Sequence, residues 1–325
     1  MEPEENESEE NVRERHFLID HNFIDMRLDQ FLCNRIPRIS RTFAQEIIRH
    51  GRIELVPPRK PKASSRLRLD DVVILRQRLE PESVQDAEAR ILFADEALVV
   101  INKPSGMLVH ETASARLNTV THYLLRQGFD EAEPVHRIDR DTSGIVVCAA
   151  RRDLVAPLRG AFATTSPTKT YRALVFDPEG VWVPGTRRTL DTPLGSDPES
   201  DLALRMGPGD LESTTHVHAL TRREHPMGTM ADLEVVIETG RQHQIRIHLA
   251  MEGTPIAGDK LYSMDNDFFR AICDFPDDPE LLAQLPFDRQ ALHAWKISLA
   301  HPITKESCSF EAPLPSLWGR GNAER

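Results

Sequence analysis

The chain has 325 residues, 40% of them hydrophobic and 28% charged, with 16 Gly and 23 Pro, so one large domain or two unequal ones is expected. No apolar run approaches the ~18 residues of a membrane span, and the acidic start fits neither a secretory signal nor a transit peptide; membrane and secreted classes go out and a cytoplasmic protein is expected. The net charge of −11 argues against a nucleic-acid partner until its distribution is read.

Residues 1–20 hold eight acidic groups against Arg13 and Arg15, a net of −6, and read as an acidic disordered tail. Residues 26–78 hold thirteen Lys/Arg against five acids, a net of +8, while residues 79–325 are acidic again at −12. A small basic domain over 21–78 is therefore expected. Within it Leu28, Phe31, Leu32 and Ile36 recur at helical spacing. Ser40 or Thr42 can cap a second helix that carries Phe43, Ala44, Ile47 and Ile48 on one side and ends at Gly51. Arg41, Gln45, Arg49 and Arg52 fall on a different side, which makes that helix a candidate polyanion surface. Residues 53–56 and 72–75 read as short strands around a Pro- and Lys-rich loop.

Residues 79–90 are polar, punctuated by Pro81, and read as a linker into a larger domain over 91–325. Short β-type runs follow at 97–101, 144–149, 170–176, 215–220 and 233–238. Helical segments lie at 119–127 and 153–162, and Pro157 suits the latter only near its first turn. Residues 263–290, rich in Asp and Pro, read as an insertion. No repeat at about 20–50 residues is present. The class is α+β: a mixed, mainly antiparallel sheet with flanking helices and a central cleft, plus a small α/β domain.

Three segments are dense in polar groups yet flanked by apolar runs: 103–110 (KPSGMLVH), 136–144 (HRIDRDTSG) and 240–249 (GRQHQIRIHL). Asp139 lies between Arg137 and Arg140, which favours its ionised form and suits it to nucleophilic or base chemistry. The alternative is an ordinary turn-capping Asp, with Thr142 and Ser143 in the same backbone role. His216 and His218 alternate along one strand face, and His243 and His248 could add ligands. No carboxylate or Cys stands at ligand spacing beside them, so no metal site is expected. The four cysteines, Cys33, Cys148, Cys273 and Cys308, form no C-x-x-C pair and read as free thiols. Glycine-rich nucleotide signatures are absent, so no nucleotide cofactor is expected.

These three motifs, with KTYRALV at 169–175, Gly258-Asp259-Lys260-Leu261-Tyr262 and Leu292-His293-Ala294, strongly resemble the RluA family of pseudouridine synthases over residues 88–315. The basic domain is similar to the small RNA-binding domain named for ribosomal protein S-four, although Val56-Pro57-Pro58-Arg59-Lys60 replaces that family's Val-Asn-Gly turn. The resemblance implies that Asp139 is the catalytic aspartate, Tyr171 the active-site tyrosine and Arg246 the basic partner of the aspartate. It implies that Arg137 fills the space left by a flipped base. Ile138 stands where Leu is commoner, a volume-conserving change. The RNA-contact candidates it implies are His136, Arg137, Arg241, His243 and Lys103, joined by Arg41, Arg49 and Arg52 of the basic domain. The expected activity is isomerisation of uridine in ribosomal or transfer RNA without a cofactor, by a monomer. A catalytically silent RNA-binding or ribosome-assembly factor on the same fold is the alternative.

Overall fold

The computed structural model describes residues 12–36, 41–78, 84–112, 115–163 and 167–319. The chain divides into two compact units, Met1–Pro81 with Asn266–Asp278 and Glu82–Asp265 with Pro279–Arg325.

In the first unit β1 (Val12–Leu18), β2 (Ile53–Val56) and β3 (Val72–Arg78) make an antiparallel sheet in the order β1-β3-β2. The acidic tail expected over 1–20 is therefore corrected over its described part. Its charge does not keep it unfolded, because Arg76 of β3 donates to Glu14 at 2.9 Å and Phe17 meets Phe31 edge-on at 6.1 Å. Residues 1–11 lie outside the described residues. Helices α1 (Leu28–Arg35) and α2 (Arg41–Arg49) bury Leu28, Phe31 and Leu32, and Ala44, Ile47 and Ile48, on the sides their spacing predicts. Thr42 falls inside α2 rather than capping it, and Ser40 lies outside the described residues. A helix from far along the chain, Asn266–Asp274, packs on α2 with Phe268, Ala271 and Ile272 buried. Of the segment 263–290 read as an insertion, residues 266–278 are thus part of this unit's packing, and the rest belongs to the second unit.

The second unit follows in chain order: β4 (Arg90–Ala94), β5 (Leu98–Lys103), α3 (Val120–Arg126), β6 (Glu133–Pro134), β7 (Ser143–Ala149), α4 (Arg152–Phe162) and β8 (Thr168–Phe176). Then come β9 (Arg187–Leu190), β10 (Leu194–Ser196), β11 (Met206–Pro208), β12 (Thr215–Arg223), β13 (Met230–Ile237) and α5 (Gln244–Met251). After α6, the helix 266–274 already placed, the chain adds α7 (Pro279–Leu282), β14 (Leu292–Ala300) and β15 (Ser307–Glu311). Residues 84–90 are no free linker. The Gln85 N–H bonds Asn118 at 3.1 Å, Arg126 bonds Asp86 at 2.6 Å, and Ala89 is buried.

The main sheet runs β4-β5-β7-β14-β8-β13-β12-β9, with β15 on β14 and β6 on β7, and all its named pairs are antiparallel except β7–β14. Period-2 alternation splits its side chains between two apolar layers: Val99, Ile101, Val146 and Cys148 go to one, Leu98, Val100, Ile145 and Val147 to the other. Pro157 sits in the second turn of α4, deeper than expected. It is exposed there, so the carbonyl it leaves unbonded can reach water. Gly144 has φ +110°, and a Cβ there would overlap the Ala294 backbone, so only glycine lets β7 close on β14. That closure fixes the start of β7, and with it the polar loop just upstream.

Candidate active site

The loop 136–142 is clamped from several directions. The Ser105 hydroxyl donates to the Asp141 carbonyl at 2.9 Å, and the Gly106 N–H donates to the Arg140 carbonyl at 2.9 Å. On the far side, Gln290 Nε2 donates to Thr142 Oγ1 at 2.6 Å and Ser143 Oγ pairs with His293 Nδ1 at 2.8 Å. Asp139 is held on a rigid scaffold as a result.

Strand β8 presents Tyr171 on the same face as Lys169 and Ala173, and Tyr171 is 8% exposed. Helix α5 supplies Arg246. Its Nη1 donates to Asp139 Oδ2 at 2.8 Å, while Nε and Nη2 make a two-point contact with Asp259 at 2.7 and 2.9 Å. Asp259 is fully buried and accepts the backbone N–H groups of Leu261 and Tyr262 as well. Burial works against the charge of Arg246, but Asp259 and Asp139 outweigh it and raise its pKa. Burial likewise opposes ionisation of Asp139, yet the Arg246 charge wins and holds the carboxyl below its usual range. Asp139 Oδ1 accepts no hydrogen bond among the described residues, so one carboxylate oxygen is anchored and the other is available.

His243 precedes α5 with φ +56°, a left-handed conformation that costs a non-glycine residue energy and suggests a local purpose. Its Nε2 lies 3.9 Å from Asp139 Oδ2, and its Nδ1 lies 2.9 Å from the Tyr262 hydroxyl. That hydroxyl already accepts the Met206 N–H at 3.0 Å, so its own proton goes to Nδ1. The inferred tautomer turns Nε2–H toward Asp139. Burial brings the His243 pKa down to about 4, which keeps the ring neutral at pH 7. Elsewhere in the same motif, Gln244 bonds the Thr214 carbonyl and Thr215, and His248 bonds Thr215 and the Thr192 carbonyl. The motif therefore alternates anchors with site groups.

Arg137, Asp139, Tyr171, Arg241, His243 and Arg246 line one pocket of about 70 Å³, with Ile138, Ile237 and Leu292 as its apolar wall. Sequence reading brought six of these polar groups forward and the structure brings all six together. It missed Asp259 and Tyr262, whose signal lay in the string Gly258–Tyr262. Gly258, at φ +78°, turns the chain where a Cβ would overlap the Arg289 carbonyl, which aims Asp259 inward. Among the described residues no group of three or more His, Cys, Asp or Glu could hold a metal ion. His216 is taken up instead by Thr189 at 3.0 Å and Glu238 at 2.7 Å.

A profile of the RNA pseudouridylate synthases matches residues 97–251. Ribosomal large subunit pseudouridine synthase D of Zymomonas mobilis is 33% identical over 310 residues, 90% of this chain and 91% of that protein. The chain belongs to the RluA family of RNA pseudouridine synthases. Ribosomal large subunit pseudouridine synthase C of Vibrio vulnificus is similar at 30% identity over 309 residues, 91% of each chain. The solved structure of human RNA pseudouridylate synthase domain containing 1 superposes with a TM-score of 0.55 at 22% identity, covering 73% of this chain and 89% of that one, which shows the shared fold.

Several residues expected to touch RNA in this pseudouridine synthase are committed elsewhere. Lys103 is fully buried, and its Nζ donates to the carbonyls of Pro104, Met107 and Arg140 at 2.8, 2.7 and 2.9 Å. Burial draws its pKa down to about 7. Lys103 ties the loop 103–107 to the Asp139 loop and is corrected from an RNA contact to an internal clamp. His136 stacks on Phe162 at 4.6 Å, and its Nε2 accepts the Val147 N–H at 3.0 Å. It too is a structural group. In the first unit Arg41 bonds the buried Asp29 at 3.0 Å, Arg49 bonds Asp278 at 3.0 Å, and Arg52 lies over the Phe275 ring at 4.3 Å and bonds the Asp274 carbonyl. The cationic side of α2 is largely answered by acids of its own unit. Arg137 remains exposed, and Arg241 spends only its Nε on the Glu212 carbonyl.

The state of His136 predicts an acid-sensitive fold. Burial lowers its pKa to about 3 from a usual value of 6.5. As pH falls below 6.5 the unfolded chain takes up a proton that the folded protein refuses until about 3. Stability therefore drops through that window, by at most about 1.4 kcal/mol per pH unit from this group. Denaturant titrations between pH 7 and 4.5 should show His136→Phe less stable at pH 7 but with a shallower pH slope. A slope equal to the parent's would refute the assignment.

Proposed function

We propose that this enzyme converts uridines of large-subunit ribosomal RNA to pseudouridine, as a cytoplasmic monomer needing no cofactor, with Asp139 as the catalytic carboxylate. The observation that carries it is the Asp139 carboxylate itself: ionised, anchored through Oδ2 by Arg246, and with Oδ1 unbonded in a pocket beside Tyr171. The relatives above, named for the large ribosomal subunit, supply the substrate class.

The reaction breaks the C1′–N1 bond of uridine, turns the freed uracil and joins its C5 to C1′. Atoms and electrons are conserved. The target base must first leave its stack, at a cost of a few kcal/mol. Oδ1 of Asp139 can then add to C1′ or take the C2′ proton, and Arg246 holds the carboxylate ready for either. Burial raises the pKa of the Tyr171 phenol, so it stays neutral at pH 7, and its hydroxyl makes no hydrogen bond among the described residues. The ring offers uracil a face to lie against. Arg137, exposed at the pocket mouth, can occupy the gap in the RNA. The first unit, with its net positive segment, serves as an RNA-binding module.

Purified protein incubated with an unmodified large-subunit ribosomal RNA transcript should form pseudouridine at a few fixed positions. Cells lacking the gene should lose those same positions. A loss of pseudouridine confined to transfer RNA in such cells would overturn the substrate assignment.

A further inference from the structure

Lys169 is 8% exposed, yet its ammonium makes no hydrogen bond and no ion pair with any described residue. Its ammonium is not fully sealed from solvent, no described residue answers its charge, and burial alone lowers its pKa. Every other lysine or arginine as deeply buried here has partners: Lys103 holds three carbonyls and Arg246 holds two carboxylates. A cation that no described residue pairs, held against the fold with its ammonium still accessible, is placed to meet an anion that arrives from outside.

Its position says which anion. Lys169 shares the inner face of β8 with Tyr171, two residues on, and pairs in register with Ile237 of the pocket wall. Its Nζ lies at Gly240, 3.9 Å from where a Cβ would stand, and Gly240 and Arg241 are themselves pocket-lining residues. On the other side its charge is felt by His136, the neighbour of Arg137. The charges of Asp139 and Asp259 are both answered by Arg246, and neither carboxylate makes an ion pair with Lys169.

We propose that Lys169 is an RNA-binding residue of the active site, whose ammonium takes a backbone phosphate oxygen of the nucleotide drawn into the Asp139 pocket. The proposal rests on the reading of that pocket as the catalytic site. A lysine suits the task, as a compact charge on a flexible stem that can follow a phosphate without imposing a fixed geometry. Phosphate contacts set register while base contacts set identity, so Lys169 acts on every substrate alike.

The test compares Lys169→Met and Lys169→Arg with the parent, using the full chain and an unmodified large-subunit ribosomal RNA transcript. In filter binding, Lys169→Met should bind about tenfold more weakly at 0.1 M salt, as expected for one charged contact. The slope of log affinity against log salt should shrink by about 0.7 to 0.9, the signature of one lost phosphate contact. Lys169→Arg should recover most of both. In the absence of RNA, Lys169→Met should melt within a few degrees of the parent, because the ammonium has no partner in the fold to lose. A lysine present only for packing would give the reverse: a lower melting temperature with unchanged affinity and slope, which overturns the proposal. Slower turnover with unchanged binding and slope overturns it too. Pseudouridine formation by an Asp139→Asn protein would instead remove the pocket reading beneath it, and that outcome is separate from the binding result.

Discussion

Replacing Asp139 with Asn should abolish pseudouridine formation, by about four orders of magnitude or more, while leaving the protein folded. The amide keeps the shape of the carboxyl but can neither add to C1′ as an anion nor accept the C2′ proton. The fold should survive because Arg246 does not depend on Asp139 alone: its Nε and Nη2 stay paired with Asp259. The melting temperature is therefore expected within a few degrees of the parent, and RNA should still bind. Tritium release from uridine-labelled RNA checks the chemistry, and differential scanning calorimetry checks the fold. A variant that turns over at even a hundredth of the parental rate would take Asp139 out of the central position.

Replacing Asp259 should have the largest effect on stability. Its carboxylate is fully buried and receives four hydrogen bonds, two from Arg246 and one each from the N–H groups of Leu261 and Tyr262. Asp259→Ala leaves a buried guanidinium with one partner and two backbone donors with none, a cost of about 3–5 kcal/mol. For a chain of this size that corresponds to a fall of roughly 10 °C in melting temperature. Asp259→Asn keeps an acceptor for the N–H groups and should recover part of the loss. It still weakens the hold on Arg246, so turnover should fall in both variants even at temperatures where they are folded. An unchanged melting temperature for Asp259→Ala would show that Asp259 does not bear the Arg246 charge.

Asp139 and Arg246 could be brought forward from their motifs because each sits in a long string of distinctive polar residues. Asp259 stood in a matched string too, but nothing local to it says that a guanidinium thirteen residues upstream will be its partner. Only the turn at Gly258 and the course of α5 bring them together. Lys103 and His136 were misread for the opposite reason. A lysine or histidine in a polar turn looks the same in sequence whether its head meets solvent or three carbonyls, and the burial that decides it comes from distant strands. Charge composition also misled at the N-terminus. Residues 12–18 are rich in Arg and Glu, yet β3 offers a paired edge and Arg76 to match Glu14. Most central strands, by contrast, were legible as apolar runs, because a strand buried on both faces leaves a continuous apolar stretch, whereas β14, which lies between β7 and β8, was not read as a strand.

The excursion of the chain at 266–278 bears on how the protein can be dissected. Those residues lie between stretches of the second unit in sequence, yet they bury Phe268, Ala271, Ile272 and Phe275 while packing with α2, and His50 stacks on Phe275 at 3.7 Å. A scissile point near residue 81 would not liberate a clean catalytic fragment. It would strip the cover from a greasy helix and invite aggregation, so a well-behaved minimal enzyme requires that helix to be excised and its ends rejoined as well.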